Sequence, residues 1–149
     1  MLRGVTQVSL DAKGRFAIPQ RYRDQLADGD GAPRLVMTAD PSHCLLLYTL
    51  REWEPIQQKL MGLSSFNPNL RAIQRLIVGH ADDVDMDAAG RLLIPPALRT
   101  YATLDKRIVL VGQGNKFEIW DEAQWNTRTA SAASFIDGEL PPELEGFSL

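Results

Sequence analysis

The residues of this chain best suited to bind a ligand lie in a five-residue motif that occurs twice. Asp-Ala-Lys-Gly-Arg spans residues 11–15, and Asp-Ala-Ala-Gly-Arg spans residues 87–91. A carboxylate that opens such a turn can accept bonds from nearby backbone N–H groups, and the glycine can take the positive φ that closes a short hairpin. The arginine can then pair bidentately with a guanine edge or clamp a phosphate. The motif therefore predicts two β-turns, each presenting one guanidinium.

Within these turns we assign two kinds of role. Arg15 and Arg91 are the candidate ligand contacts, and Lys13, at the tip of the first turn, is a candidate phosphate contact. The turn-structuring residues are Asp11, Gly14, Asp87 and Gly90. The alternative is that each Asp–Arg pair only staples its own hairpin and that Lys13 is a solvated turn lysine. Both roles can hold together, because an arginine paired with a carboxylate keeps spare donors.

The motif belongs to a longer internal repeat. Residues 8–24 match residues 84–100 at an offset of 76. Residues 44–53 then match residues 116–125 at an offset of 72. The difference falls in a glycine-rich loop at 28–31, where a chain tolerates changes of length. Because a unit of about 70 residues is near the lower limit for burying its own core, we expect the two copies to share one, with pseudo-twofold symmetry.

The repeat predicts both the segments of the chain and its fold class. The segments are a first unit at 4–53, connecting helices at 54–80, a second unit at 81–126, and a helix end with a mobile acidic tail at 127–149. Thr49 before Glu52 and Asn67 before Pro68 are typical helix starts. No crossover helix is long enough for a parallel sheet. We therefore predict an α+β fold, mainly β, in which the strands form an intertwined antiparallel barrel with peripheral helices. Trp53 is expected either to pack on this barrel or to contact another chain.

Charge is unevenly distributed along the chain, although its net value is −3. The first 23 residues carry five Lys or Arg against one Asp, whereas residues 121–149 carry six carboxylates against one Arg. Screening confines electrostatic attraction to about 8–10 Å, so an acidic protein can still present a basic face. Arg3, Arg21 and Arg23 are weaker candidates for that face. Scattered surface charge that only keeps the protein soluble is the alternative.

Other patterns argue against several classes of protein. The chain has no apolar run near the roughly 20 residues needed to cross a bilayer and no apolar secretory stretch at its start, so we expect a cytoplasmic protein. The single Cys44 excludes an internal disulfide, and its apolar surroundings predict a buried, inert thiol. His43 and His80 are isolated, and the acidic residues at 82–87 alternate between the faces of a strand. We therefore expect no catalytic residue, metal or cofactor.

The paired motifs resemble those of the MraZ family over about residues 1–130. The resemblance rests on Asp-x-x-x-Arg followed by Ile-Pro in both halves, at 18–19 and 94–95. It implies two AbrB-like (SpoVT-AbrB) swapped-hairpin units fused in tandem and ring-shaped homo-oligomers that assemble through the outer helices. It also implies a DNA-binding transcription regulator, a repressor associated with the nucleoid, that binds repeated G-rich promoter boxes upstream of the division and cell-wall gene cluster, its own gene included. In the family the motif arginine of the first unit contacts DNA, which corresponds to Arg15.

The two halves depart from perfect duplication in one respect relevant to binding. Lys13 of the first motif is replaced by Ala89 in the second, and Arg21 has no basic counterpart. We therefore expect the first turn to dominate binding. A second functional class remains open, namely an antitoxin-like or scaffold module that binds protein, which the net acidity and the tail favour. Salt-dependent binding to DNA would separate the two classes.

Overall fold

In a computed structural model, the two repeats interleave their strands in one sheet. The structure describes residues 1–27, 29, 31–64, 66–136 and 141–148. The strands are β1 (Leu2–Ser9), β2 (Arg15–Ala17), β3 (Arg34–Ala39), β4 (Leu45–Thr49), β5 (Asp82–Asp85), β6 (Arg91–Leu93), β7 (Arg107–Gly114) and β8 (Phe117–Asp121). The helices are α1 (Gln20–Leu26), α2 (Leu50–Met61), α3 (Pro68–Ile77), α4 (Pro96–Tyr101) and α5 (Glu122–Ile136), with a 3₁₀ turn at Pro142–Leu144. The α+β class is confirmed.

Most of the strand pairings join one repeat to the other. The six-stranded sheet has the order β1-β7-β8-β4-β3-β5, and β2 pairs with β6 in a separate two-stranded ribbon. All pairings are antiparallel, and four of them connect a strand of the first repeat to a strand of the second. The predicted intertwining is therefore confirmed. Closure into a barrel is not, because β1 and β5 stand at the two ends of the six-stranded order in the described chain.

The main core lies on one face of the sheet and includes the β2–β6 ribbon. Phe16 and Leu92 are cross-strand partners in the ribbon, and both are buried in this core. Sheet residues from both repeats complete it, the largest being Leu35, Met37, Leu45, Leu47, Ile108, Leu110 and Phe117. The two repeats thus share one core. This joint burial fixes the position of the ribbon, and with it the two turns that flank the ribbon.

Helices α2 and α5 pack on the opposite face of the sheet. Trp53 of α2 contacts Tyr48 with ring centroids 5.7 Å apart, and Trp125 of α5 contacts Trp120 at 6.0 Å. Only 2% of Trp53 is exposed. Of the two roles expected for this side chain, packing on its own sheet is therefore confirmed, and this packing leaves little of its surface for a contact with another chain.

The predicted helix starts are also confirmed. Thr49 Oγ1 accepts a bond from the backbone N–H of Glu52 at 3.3 Å, and Asn67 Oδ1 accepts one from Asn69 at 2.9 Å. Pro68 occupies the first helical position of α3, where its missing N–H costs no hydrogen bond. These caps set where the two connecting helices begin.

Three predicted segments fall partly on residues that the structure does not describe, and one of them is the connecting segment at 54–80, in which position 65 lies outside the described residues. In the predicted loop at 28–31, positions 28 and 30 lie outside the described residues, and so do 137–140 and 149 of the predicted mobile tail. The tail's mobility stays a prediction.

No helix in the described ranges combines the length and apolar character needed to cross a membrane.

Candidate nucleic-acid interface

Each Asp–Arg motif folds into a turn that its own carboxylate organises. Asp11 Oδ1 accepts bonds from the backbone N–H groups of Lys13 at 3.0 Å and Arg15 at 2.8 Å. Asp11 Oδ2 accepts a bond from Arg15 Nε at 2.9 Å. Asp87 makes the same three contacts with the second motif, at 2.9, 2.8 and 2.9 Å. The two turns thus present their arginines in the same way.

Hydrogen bonding keeps both turn carboxylates charged. The backbone N–H of Arg15 has the largest effect and lowers the pKa of Asp11. Desolvation, the next largest effect, opposes it, and the hydrogen bond and charge of the Arg15 guanidinium lower the pKa further. Arg91 lowers the pKa of Asp87 through the same contacts. Both aspartates are therefore ionised at neutral pH, and each can orient its arginine through a charge-assisted bond.

The register of the ribbon places both motif arginines on one exposed face. Arg15 is the cross-strand partner of Leu93, and Ala17 is the partner of Arg91. Directly opposed residues share a face of an antiparallel pair, so these four side chains lie together, opposite the buried central pair. Arg15 and Arg91 are diagonal neighbours, and such residues lie about 7–8 Å apart, with their Cβ atoms somewhat closer.

The two arginines keep donors available for a ligand. Their side chains are 30% and 42% exposed, respectively, and the bond to aspartate uses Nε. Among the described residues, no hydrogen bond reaches the Nη1 or Nη2 atoms of Arg15 or Arg91. Stapling of the hairpin and outward presentation of donors, which sequence reasoning left as alternatives, therefore coexist.

An arginine of each repeat packs over the turn of the other repeat. Arg23 Nη2 donates to the carbonyl of Ala89 at 2.9 Å, and its Nε donates to the carbonyl of Ile18 at 2.8 Å. Arg99, the equivalent residue in the second repeat, lies against Gly14 and donates to the carbonyl of Ile94 at 3.4 Å. Arg23, considered above for a basic face, is thus used inside the fold. The sequence signal for this role was the alignment of Arg23 with Arg99 in the internal repeat.

Arg23 and Arg99 also leave no space for a side chain at the turn glycines. Gly14 and Gly90 have φ of 84° and 78°, as the motif predicts for residues that close a hairpin. A Cβ at Gly14 would lie 2.3 Å from Arg99 Cζ, and one at Gly90 would lie 2.1 Å from Arg23 Cζ. Glycine is therefore required for space as well as for conformation.

Arg3 and Arg21 form a second basic group, apart from the ribbon. Arg21 Nη2 donates to Thr6 Oγ1 at 2.6 Å, and its guanidinium lies 4.5 Å from the centre of the Tyr22 ring. The Tyr22 hydroxyl donates to the carbonyl of Arg3 at 2.7 Å. A strand rises about 3.3 Å per residue, so Arg3 lies on the order of 20 Å along β1 from the first turn. The structure does not bring these two candidates to the ribbon face.

Lys13 and Ala89 occupy the tips of the two turns, and both are exposed. The difference between them therefore lies at the surface. Because each motif arginine is paired with a carboxylate, Lys13 is the cation that distinguishes the first turn from the second.

The two histidines considered for other chemistry both lie against Tyr101, without a metal-ligand cluster in the described structure. Within the described ranges, no cluster of three His, Cys, Asp or Glu side chains could hold a metal ion. Cys44 is buried, as predicted, and this burial raises the pKa of its thiol far above the ordinary range. His43 stacks on Tyr101 with ring centroids 5.0 Å apart.

Interleaved repeats, a shared core and a twofold-related pair of Asp–Arg turns define a tandem swapped-hairpin protein. A family model described as "MraZ protein, putative antitoxin-like" matches residues 1–76 and again 77–139. The chain is 58% identical over 149 residues to Transcriptional regulator MraZ of Thiobacillus denitrificans and 59% identical to that of Nitrosospira multiformis, with all of both chains covered in each case. It is 54% identical over 153 aligned positions to that of Klebsiella pneumoniae, again with full coverage of both chains. The chain belongs to the MraZ family.

Proposed function

We propose that this protein is a transcription regulator that binds double-stranded DNA through the exposed face of the β2–β6 ribbon. The observation that carries the proposal is the placement of Arg15 and Arg91 on that face, each oriented by an ionised aspartate and each with terminal nitrogens that no hydrogen bond from the described residues occupies. The relatives named Transcriptional regulator MraZ support the same function.

The geometry suits recognition of base edges in the major groove. That groove admits a two-stranded β-ribbon, and arginine pairs bidentately with guanine O6 and N7. Bases along one strand are spaced about 3.4 Å apart. Two guanidinium groups on diagonal positions can therefore reach guanines two or three steps apart, which fits the G-rich boxes implied by the family resemblance.

Lys13 gives the first turn a contact that the second turn lacks. An exposed lysine at the tip can neutralise a phosphate, whereas Ala89 cannot. We therefore assign the dominant role to Arg15 with Lys13 and a supporting role to Arg91. Arg3 and Arg21 are proposed as weaker phosphate contacts that require DNA to extend along β1.

Assembly of several copies would raise the affinity of this small face for DNA. A face that touches a few phosphates binds weakly and loses affinity steeply with salt. In a ring of identical subunits, regularly spaced boxes make the later contacts intramolecular and raise the overall affinity. We propose that the units at 4–53 and 81–126 act as a fused dimer within such a ring. The ring would bind repeats in the protein's own promoter at the nucleoid and repress the division and cell-wall cluster.

A protein-binding role is the alternative, and the family description contains the word antitoxin. The deciding experiment measures binding of the intact protein to its own upstream DNA by fluorescence anisotropy. Salt is varied from about 50 to about 300 mM, because the dependence of affinity on salt reports the counterions released on binding. We expect wild-type affinity to fall steeply with salt and Arg15→Ala to lose specific binding while it stays folded, with only the small loss of stability that removal of an exposed ion pair causes. Arg15→Lys, which keeps the charge without the bidentate fork, is the matched control. It should retain salt-dependent binding but lose preference for the promoter.

Unchanged promoter binding by Arg15→Ala would reject the assignment of the site. Wild-type protein that fails to bind the promoter at any salt concentration would favour the protein-binding alternative.

A further inference from the structure

Leu93 is an exposed apolar residue on the same face of the ribbon as the two motif arginines. Its exposed fraction is 50%. It lies directly opposite Arg15 across the ribbon and two residues along its own strand from Arg91, and Ala17 completes the face. An exposed leucine is by itself ordinary, because much of any protein surface is apolar. Leu93 is distinguished by its position, since it adjoins both guanidinium groups that are proposed to contact base edges.

The backbone pairing of the ribbon brings Leu93 close to Arg15. Ile94 donates its N–H to the carbonyl of Gly14 at 2.9 Å. Hydrogen-bonded and non-hydrogen-bonded pairs alternate along antiparallel strands, and the side chains of a non-hydrogen-bonded pair are the closer ones. Leu93 and Arg15 are the pair next to that bond, so they are a non-hydrogen-bonded pair with Cβ atoms about 4.5–5.5 Å apart. Because successive bases are about 3.4 Å apart along the duplex, these two side chains reach positions within two base pairs of each other.

The major groove presents one kind of group that suits a leucine. Its base edges carry hydrogen-bond donors, hydrogen-bond acceptors and the C5-methyl group of thymine. A leucine placed against a donor or an acceptor would leave that group unpaired, which is costly. Against the methyl group it removes apolar surface from water on both sides, which is favourable. The methyl group also projects from the edge of its base, within reach of a side chain shorter than arginine.

We propose that Leu93 recognises the C5-methyl group of a thymine within two base pairs of the guanine contacted by Arg15. The inference rests on the proposed DNA-binding function and extends it to a second base. The equivalent position of the first repeat holds Ala17, which buries less apolar surface than leucine does. Arg15 therefore has a neighbour that selects thymine strongly, whereas the neighbour of Arg91 selects it weakly, and the two halves of the face differ in sequence preference.

Replacement of single thymines by uracil tests this contact, because uracil lacks only the methyl group. Duplexes of the protein's own upstream DNA, each with one such replacement, are titrated with the intact wild-type protein by fluorescence anisotropy at one salt concentration. At the contacted thymine the affinity should fall about fourfold, the effect of burying one methyl-sized group. Leu93→Ala should bind the uracil duplex and the unmodified duplex equally well, and so should Leu93→Gln, which keeps the size of the side chain. Circular dichroism confirms that the variants are folded.

Val5→Thr is the matched control, because it makes an exposed apolar residue polar outside the ribbon. It should keep the fourfold difference between the two duplexes. A wild-type protein that is insensitive to every uracil replacement would overturn the proposal. Leu93 variants that bind more weakly but keep the fourfold difference would also overturn it, because Leu93 would then only support Arg15.

A second series of duplexes separates the two possible sources of the methyl group, since 5-methylcytosine carries the same group as thymine. Methylation of single cytosines that raises affinity, without any loss on uracil replacement, would overturn thymine as the base recognised. All of these outcomes require that the wild-type protein binds its upstream DNA and leave that function intact. Absence of this binding at any salt concentration would overturn the proposed function itself.

Discussion

The guanidinium of Arg23 covers Gly90 of the other repeat so closely that a Cβ there would lie 2.1 Å from Arg23 Cζ. Arg99 covers Gly14 in the same way at 2.3 Å. Each repeat thus supports the turn of its partner, and that turn orients a motif arginine. Main-chain bonds reinforce the exchange, because Ile18 donates to the carbonyl of Gly90 at 2.9 Å and Ile94 donates to that of Gly14 at 2.9 Å.

Substitution of a turn glycine should therefore destabilise the protein in two ways. Gly90→Ala places an L-residue at positive φ, which costs about 1–2 kcal/mol, and drives its methyl group into the Arg23 guanidinium, which costs about 1–3 kcal/mol more. Urea unfolding measures the sum. Gly29→Ala is the matched control, because Gly29 has φ of 77° but nothing within 4 Å of the position that a Cβ would take. Equal losses for the two variants would show that packing against Arg23 does not constrain the turn.

The two covering arginines should differ in their contribution to stability. Arg23 donates to two carbonyls at 2.8 and 2.9 Å, whereas Arg99 makes one bond at 3.4 Å and has a buried Nε with no partner in the described structure. Replacement by methionine keeps most of the packing. We expect Arg23→Met to lower the free energy of unfolding by about 1–3 kcal/mol, since it leaves acceptors unpaired.

Arg99→Met should cost less than about 1 kcal/mol, because it also removes the penalty of an unpaired buried donor. The comparison is made by urea unfolding at one pH and one salt concentration. A larger loss for Arg99→Met than for Arg23→Met would contradict the argument from hydrogen bonding.

The turns were predictable from sequence because their interactions are local. Asp11 contacts backbone groups two and four residues ahead, and these are the contacts expected of an aspartate that opens a turn. The bond from Arg23 to Ala89 spans 66 residues and depends on the pairing of the two repeats. Only the recurrence of the same arginine in both repeats hinted at it.

That Arg15 and Arg91 share one face of the ribbon could likewise not be predicted from the sequence. It depends on the register of β2 against β6, and a shift of one residue would turn Arg91 toward the core. The buried pair of Phe16 and Leu92 sets this register through tertiary packing. Closure into a barrel stays unconfirmed for a related reason, because alternation predicts strands and their faces but does not determine whether the two end strands meet.

Moving the tip lysine from one turn to the other should move part of the DNA affinity with it. Lys13→Ala should weaken binding and lower the slope of log affinity against log salt by about 1, the loss expected for one phosphate contact. Ala89→Lys should have the opposite effect, and the double variant keeps the net charge constant. Fluorescence anisotropy titrations at several salt concentrations measure both quantities. An unchanged slope in Lys13→Ala would remove this residue from the interface.

Acidification should weaken the turns through their carboxylates. Hydrogen bonds from Arg15 and Arg91 hold the pKa values of Asp11 and Asp87 below the ordinary value in the folded state. A depressed folded-state pKa contributes stability that is fully present above the unfolded-state pKa of about 3.9 and is lost as pH falls through the folded-state value. The contribution of these groups to stability should therefore be constant between about pH 7 and pH 5, and stability should decline below about pH 4.

The double variant Asp11→Asn with Asp87→Asn isolates this effect. Its amide oxygens can still accept the backbone bonds, but they carry no charge and do not titrate. Urea unfolding is measured from about pH 6 to about pH 3, a range that includes the pKa of an unfolded aspartate. The variant should be less stable than wild type at the upper end of this range. The difference should shrink as the wild-type aspartates become protonated, because the charged bonds to Arg15 and Arg91 are then lost in both proteins. A gap between the two proteins that stays constant down to pH 3 would show that the turn carboxylates do not act through their charge.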